Sequence, residues 1–124
     1  MNQQRLIDLF LEVAQISALS GNEKPVADYI KSFLTKLNYT VSEDNSTEYT
    51  KSNTGNLICR IGDGGNFILL SHMDTARSTK NLKPIILNDR IVSSGDTVLG
   101  VDNRAGVAVL LYTLETIAME KIPV

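Results

Sequence analysis

The sequence is poor in the residues that most often build a chemical site. Its 124 residues include one histidine, one cysteine and no tryptophan. A single cysteine excludes an intramolecular disulfide, fits a reducing compartment, and is too few for a zinc–thiolate site. The sequence also lacks a secretory signal and any apolar run near the roughly 18 residues that suggest a membrane span. We therefore expect a cytoplasmic protein that does not enter a membrane.

Neither sign of charge dominates the chain. Lysine and arginine number 12 and aspartate and glutamate 14, which gives a net charge of −2, and the charges are scattered. Such a chain has no general electrostatic reason to bind nucleic acid or an anionic membrane, so we expect neither as a partner. The 43% of hydrophobic residues predicts a globular protein, and this length suits one domain with a single core.

Apolar residues recur at helical spacing in three parts of the chain. We predict helices over residues 2–18, 23–37 and 103–119. Ser20 and Glu23 resemble a capping box for the second helix, but Asn22 as the cap keeps Pro25 inside the first turn, and we prefer Asn22. Its inward residues are predicted to be Val26, Ile30, Leu37 and either Phe33 or Leu34. The third segment is apolar nearly all round, which predicts a helix buried against a sheet.

Short apolar stretches bounded by turn residues predict strands between these helices. They lie at residues 40–43, 56–61, 66–71, 85–88 and 90–93, and residues 122–124 resemble the start of another. The glycine-rich stretch 62–65 predicts a tight turn, so strands 56–61 and 66–71 should pair as an antiparallel hairpin. The last two strands should pair around Asn88 and Asp89. Helices and strands in this order indicate an α/β protein.

The single histidine, His72, ends the most apolar predicted strand. Buried parallel strands are continuous apolar runs, and open α/β sheets place their chemistry at the carboxyl ends of such strands. Asp74 follows two residues later, so in an extended chain both side chains leave on the same side. A carboxylate beside an imidazole orients a metal-binding histidine. Alone, the pair better fits a histidine that is merely hydrogen-bonded at a strand end.

A second acidic residue, Asp102, lies in a glycine-flanked loop just before the third predicted helix. One interpretation is structural, because aspartate is a good N-cap and Gly100 supplies the turn. The other is functional, and Asp102 could serve both roles only if its side chain turned away from the helix.

Two motifs together resemble a known family. They are Ser-His-Met-Asp-Thr at residues 71–75 and Gly-Asp-Thr-Val-Leu-Gly-Val-Asp-Asn-Arg-Ala-Gly at 95–106. About thirty residues apart, they are similar to the motifs of the co-catalytic di-zinc peptidases that include peptidase T, the tripeptide aminopeptidases. The resemblance implies a three-layer α/β/α catalytic domain with a mixed sheet, of which residues 1–124 would be the N-terminal part. The rest of that domain and the lid or dimerisation domain would be absent.

The resemblance also implies roles for individual residues. His72 would bind one zinc ion, Asp74 would orient His72 as part of the catalytic machinery, and Asp102 would bridge both zinc ions. The peptide bond between Asp102 and Asn103 would be cis. Asn103 and Arg104 stand where aspartate and lysine are common in the family, and residues 76–79 lack a frequent proline.

The family's Glu-Glu pair and its second histidine are not in these 124 residues. We therefore predict part of a zinc-dependent aminopeptidase for short peptides, inactive by itself and holding one weakly bound zinc ion or none. The alternatives are a related deacylase or carboxypeptidase, or a non-catalytic remnant without metal. An uncovered sheet edge should also promote self-association.

Overall fold

The computed structural model describes residues 2–62 and 68–124. In chain order the elements are α1 (Gln3–Ala14), α2 (Lys24–Lys36), β1 (Val41–Glu43), a 3₁₀ turn (Ser46–Glu48), β2 (Leu57–Cys59), β3 (Pro84–Ile86), β4 (Ile91–Ser93) and α3 (Val101–Glu120). The α/β class is confirmed, and all three predicted helices form. Within the described ranges, no helix is both long and apolar enough to cross a membrane.

Helix α1 begins at the expected place and ends four residues early. The Asn2 side chain caps it by accepting a hydrogen bond from the backbone N–H of Arg5 at 3.1 Å. The chain then leaves the helix so that Ala18 runs beside Thr75, whose N–H donates to the Ala18 carbonyl at 3.0 Å. Leu19 and Thr75 form an isolated parallel bridge. This tertiary pairing ends the helix before its apolar pattern does.

Helix α2 begins one residue later than predicted, with Glu23 rather than Asn22 at the cap position. Pro25 does lie in the first turn, as expected. The Glu23 carboxylate turns back to accept from the Gly21 N–H at 2.7 Å. The exposed Lys24 N–H is instead satisfied by Asn53 Oδ1 at 2.9 Å. A loop 29 residues away therefore supplies the cap, which a local pattern could not reveal.

The core lies between the three helices. Its most buried members are Leu9, Val13, Ala18, Val26, Ile30, Leu34, Val107, Ala108 and Leu111. Leu34, and not Phe33, is the buried residue of the predicted pair. Helix α3 packs mainly along α1 and touches α2 less. The prediction that it is buried against a sheet is wrong, because α3 packs on α1 and α2 and leaves Val109 50% and Met119 75% exposed.

The strands form two separate antiparallel pairs. β3 and β4 pair as predicted, with Ile85 opposite Val92. β1 pairs with β2, with Val41 opposite Cys59. Residues 68–71 form no strand beside β2, so the predicted hairpin of 56–61 with 66–71 is wrong in the described residues; its turn lies largely in the range 63–67, outside them. The mixed sheet that the resemblance implies is not continuous among the described strands.

Residues 68–71 and 122–124 are neither helical nor strand, contrary to prediction. Ile68 and Leu70 are 82% and 85% exposed. An apolar strand of this kind is stable when neighbours cover both of its faces and both of its edges. No described backbone group is hydrogen-bonded to residues 68–70, so the local pattern alone does not produce the strand.

Candidate metal site

The structure brings together the three residues that the sequence singles out. His72 Nδ1 lies 2.8 Å from Asp74 Oδ1, and His72 Nε2 lies 2.9 Å from Asp102 Oδ1. The imidazole is thus held between two carboxylates that are 28 residues apart along the chain. Its side chain is 50% exposed, that of Asp74 is 28% exposed and that of Asp102 is 94% exposed. The site is therefore open to solvent on the Asp102 side.

This geometry requires a positive charge beside the imidazole. A neutral imidazole has one N–H donor, whereas a carboxylate only accepts. With Nδ1 donating to Asp74, the lone pair of Nε2 would face the Asp102 carboxylate unless a proton or a metal ion lies between them. Partial burial of the ring opposes its protonation, but the hydrogen bonds from His72 to Asp102 and Asp74 outweigh it and raise the pKa of His72.

Asp102 is not the cap of α3. The first turn contains two non-helical residues, Asp102 and Asn103, joined by a cis peptide bond, and the prediction of that bond is confirmed. Asn103 Oδ1 accepts the Gly106 N–H at 3.0 Å, which is the N-cap pattern. Because the Asn103 side chain caps the helix, the Asp102 carboxylate is free to turn toward His72. The capping interpretation of Asp102 is therefore wrong.

Glycine at position 100 is required by the packing of this loop. Its φ of 73° is in the left-handed region. A Cβ atom there would approach Thr79 Cγ2 to 2.8 Å. A larger residue would therefore displace the loop that carries Asp102, both through backbone strain and through this contact.

Beneath the site lies a layer of buried side chains, which the sequence did not lead us to expect. Arg104, Thr75 and Thr79 are each no more than 1% exposed. The Arg104 Nη2 donates to the Ile16 carbonyl at 3.0 Å, and the Thr75 hydroxyl donates to the Arg77 carbonyl at 2.8 Å. This layer joins the chain after α1 to both halves of the site. A charged residue in an apolar helix was the available signal, since arginine is almost never fully buried without a reason.

An open groove runs beside Asp102. It has a volume of about 280 Å³, and its walls come from the loop after Asp74 and the loop before α3. Ala76, Val98 and Val101 give it apolar walls, while Arg77 contributes a cation. The groove is therefore suited to an amphipathic ligand placed next to the Asp102 carboxylate.

The residues present fit two ligands of a zinc ion and not a full set. An imidazole nitrogen and a carboxylate oxygen are both common zinc donors, and zinc sites use three or four protein ligands. Asp74 on Nδ1 is the usual orienting partner of a zinc-binding histidine. In residues 2–62 and 68–124, no group of three or more histidine, cysteine, aspartate or glutamate side chains is arranged to hold a metal ion. The chain thus provides an incomplete site.

The fold of this chain is that of about one third of two peptidases of known structure. A tripeptidase from Staphylococcus aureus subsp. aureus Mu50 is 36% identical, with a TM-score of 0.85. The aminopeptidase PepT from Bacillus cereus ATCC 10987 is 31% identical, with a TM-score of 0.88. Each match covers 99% of this chain and 34% of the other. The two matches support the peptidase-T-like resemblance of the motifs and the α/β fold.

A curated relative matches over the same extent. The uncharacterized protein YqjE of Bacillus subtilis strain 168 is 30% identical over 125 residues, which is 98% of this chain and 34% of that protein. No known family model matches the sequence. The chain therefore spans about one third of the length of the proteins it resembles.

Proposed function

We propose that this chain supplies part of the metal site of a zinc-dependent aminopeptidase that acts on short peptides. The observation that carries the proposal is the position of His72 between Asp74 and Asp102, where a positive charge must lie against Nε2. Similarity to a tripeptidase and to an aminopeptidase supports the reaction class. It also favours an aminopeptidase over the deacylase and carboxypeptidase alternatives.

Each residue of the site has a distinct part in this proposal. His72 Nε2 and the Asp102 carboxylate would hold zinc, and the exposed side of Asp102 is free to contact a second ion. Asp74 would fix the ring by accepting a hydrogen bond from Nδ1–H, which keeps Nε2 available as a ligand atom. Zinc held by His72 and Asp102 would supply Lewis acidity, which polarises a carbonyl and lowers the pKa of water toward about 7.

The groove beside Asp102 supports a short peptide as the substrate. Its apolar walls suit the side chains of such a peptide, and the Arg77 cation suits a negatively charged group.

We further propose that these 124 residues alone do not hydrolyse peptides. They contain one histidine, and the ligand group in the described part is incomplete. Hydrolysis needs a full ligand set, a metal-bound water and a general base. That same shortage favours the second candidate, a non-catalytic remnant that binds no metal.

Zinc binding separates the two candidates. Purified chain without an affinity tag is loaded with zinc, and the bound metal is measured by titration calorimetry and elemental analysis. We expect one weakly bound zinc ion per chain, lost in His72→Gln and weakened by roughly a further 10–100-fold in Asp74→Asn, as for other orienting carboxylates. The matched control is Asp89→Asn, which removes an exposed carboxylate that is paired with the neighbouring Arg90.

Two results would contradict these proposals. Absence of any His72-dependent zinc binding would favour the non-catalytic remnant. Strong tripeptide hydrolysis by the pure chain, abolished by a chelator, would show that the chain needs no further residues.

A further inference from the structure

Among the described residues, Arg104 is the one charged side chain with no exposed surface. It lies in the first turn of α3, two residues after Asp102. A buried charge is costly unless it is paired and hydrogen-bonded. Methionine or leucine would fill the same space at lower cost, so packing alone does not explain an arginine here.

The hydrogen bonds of Arg104 do not explain it either. Nη2 donates to the Ile16 carbonyl, but Nε and Nη1 have no partner among the described residues. A guanidinium presents five N–H donors, so most of its bonding capacity is unused. One hydrogen bond to a carbonyl could have been made by a neutral side chain.

Among the described residues, no carboxylate forms an ion pair with the Arg104 guanidinium. Burial lowers the pKa of Arg104, and the negative charge of Asp74 opposes that change from a longer distance. Asp74 in turn holds His72 Nδ1 at 2.8 Å.

The backbone joins the same parts of the molecule. Arg104 holds the Ile16 carbonyl, while the N–H of Thr75, the residue after Asp74, holds the Ala18 carbonyl. Residues 16–18 are therefore hydrogen-bonded to α3 through Ile16 and to the segment that carries His72 through Ala18. This link spans the two motifs that make up the site.

We propose that Arg104 is a positioning residue of the metal site, whose bond to residue 16 holds, through the Ala18–Thr75 hydrogen bond, the segment on which Asp74 orients His72 toward Asp102. The proposal deepens the proposed function and rests on it. A purely structural arginine would stabilise the fold without affecting the histidine ring.

The lone histidine makes the test direct. His72 is the only histidine, so its ring signals stand alone in a proton–carbon NMR spectrum of the histidine-labelled, metal-free chain. Arg104→Met removes the donor to the Ile16 carbonyl, and Arg104→Lys retains a charged donor. The matched control is Arg5→Met, because Arg5 also joins α1 to α3, through two hydrogen bonds to Glu115 at 2.8 and 2.7 Å, but touches nothing in the site.

We expect Arg104→Met to move the His72 ring signals at fixed pH and to weaken zinc binding about tenfold, as loss of an orienting partner does. Arg104→Lys should restore both readouts most of the way to the original values. Arg5→Met should lower the unfolding midpoint and leave both unchanged. Far-UV circular dichroism confirms that each variant is folded.

Unchanged His72 signals in folded Arg104→Met would overturn the proposal. If that variant does not fold, the lysine variant decides: displaced His72 signals in a folded Arg104→Lys chain would equally overturn it, and retained signals would support it. The NMR result does not depend on zinc. Failure of the wild-type chain to bind zinc would therefore refute the proposed function while leaving the role of Arg104 in ring placement open to this measurement.

Discussion

The helical half of the molecule and the half that carries the site differ in how well their side chains are covered. In the helices, Leu9, Val13 and Leu111 are at most 2% exposed. In the segment that leads to the site, Ile68 and Leu70 are more than 80% exposed. The same kinds of apolar side chain are thus buried in one region and hydrated in the other, so the core of this chain is its helical half.

The two halves also differ in the contacts that hold them. Helix α3 is fixed to α1 by the Arg5–Glu115 ion pair, and to the chain after α2 by the Tyr39 hydroxyl, which donates to the Leu114 carbonyl at 3.0 Å. The site segment is fastened to the helices mainly through Thr75 and Arg104. The segment that carries His72 is thus anchored on the helical core, and α3 itself contributes Asp102 to the site.

The same substitution, leucine to alanine, made once in each region tests this difference most strongly. Leu9→Ala should lower the free energy of unfolding by about 2–5 kcal/mol, because it leaves a cavity among buried side chains. Leu70→Ala, at a side chain that is 85% exposed, should change it by less than about 0.5 kcal/mol. Urea denaturation followed by circular dichroism measures both. Similar losses in the two variants would show that residues 68–70 belong to the core.

Self-association provides a second, smaller contrast. Ile68, Leu69 and Leu70 expose apolar side chains in an extended segment, and uncovered segments of this kind pair with other chains. We predict concentration-dependent association of the chain, weakened about tenfold, or about 1.4 kcal/mol, by Leu70→Lys. Analytical ultracentrifugation over a range of concentrations measures it.

The control for association places the same lysine elsewhere. Tyr49 is 83% exposed in the loop after β1, so Tyr49→Lys adds equal charge and removes an apolar surface away from the segment. It should leave the association constant unchanged. A wild-type chain that stays monomeric at high concentration would contradict the prediction outright.

What the sequence predicted well was local. Helical periodicity located three helices, and the turn at residues 88–89 located the β3–β4 pair. The two motifs also identified the residues that meet at the site. The family resemblance that they carry predicted the cis bond after Asp102. The roles assigned to His72, Asp74 and Asp102 stay predictions, because geometry brings the side chains together without revealing what they bind.

What the sequence did not predict was decided by distant contacts. The cap of α2 comes from Asn53, and β2 pairs with β1 rather than with the segment that follows it. The strand predicted at residues 66–71 depends on neighbours that the described residues do not provide. Arg104 was noted only as a residue that stands where lysine is common in the family, and its complete burial was not predicted.

Glu43 and Asp102 are two carboxylates with different surroundings. Asp102 is almost fully exposed, whereas Glu43 at the end of β1 is held by Lys31 of α2, by the Gly55 N–H at 2.7 Å and by the Thr54 hydroxyl at 2.9 Å. The Lys31 ammonium and these two donors lower the pKa of Glu43 from 4.5 to about 2. Glu43, which is bound to α2 through Lys31, is therefore a carboxylate whose ionisation is linked to folding.

The smallest predicted effect is a change in how stability depends on pH. Above about pH 4.5 Glu43 is ionised in both states, and its contribution to stability is complete. As the pH falls toward 2, the unfolded chain takes up a proton that the folded chain does not, so this contribution is lost. Urea midpoints measured from pH 7 to pH 2 should fall less steeply in Glu43→Gln than in the wild type.

Two lysines of helix α2, Lys31 and Lys24, test whether Lys31 causes the lowered pKa of Glu43. Lys31→Met removes the largest cause of the lowered pKa, so it should reduce the acid slope part of the way toward that of Glu43→Gln, with Gly55 and Thr54 accounting for the remainder. Lys24→Met removes an exposed lysine that pairs with Asp28 and should leave the slope unchanged. Equal slopes in all four proteins would mean that these donors do not lower the pKa of Glu43 in the folded chain, and the predicted link between its ionisation and folding would be wrong.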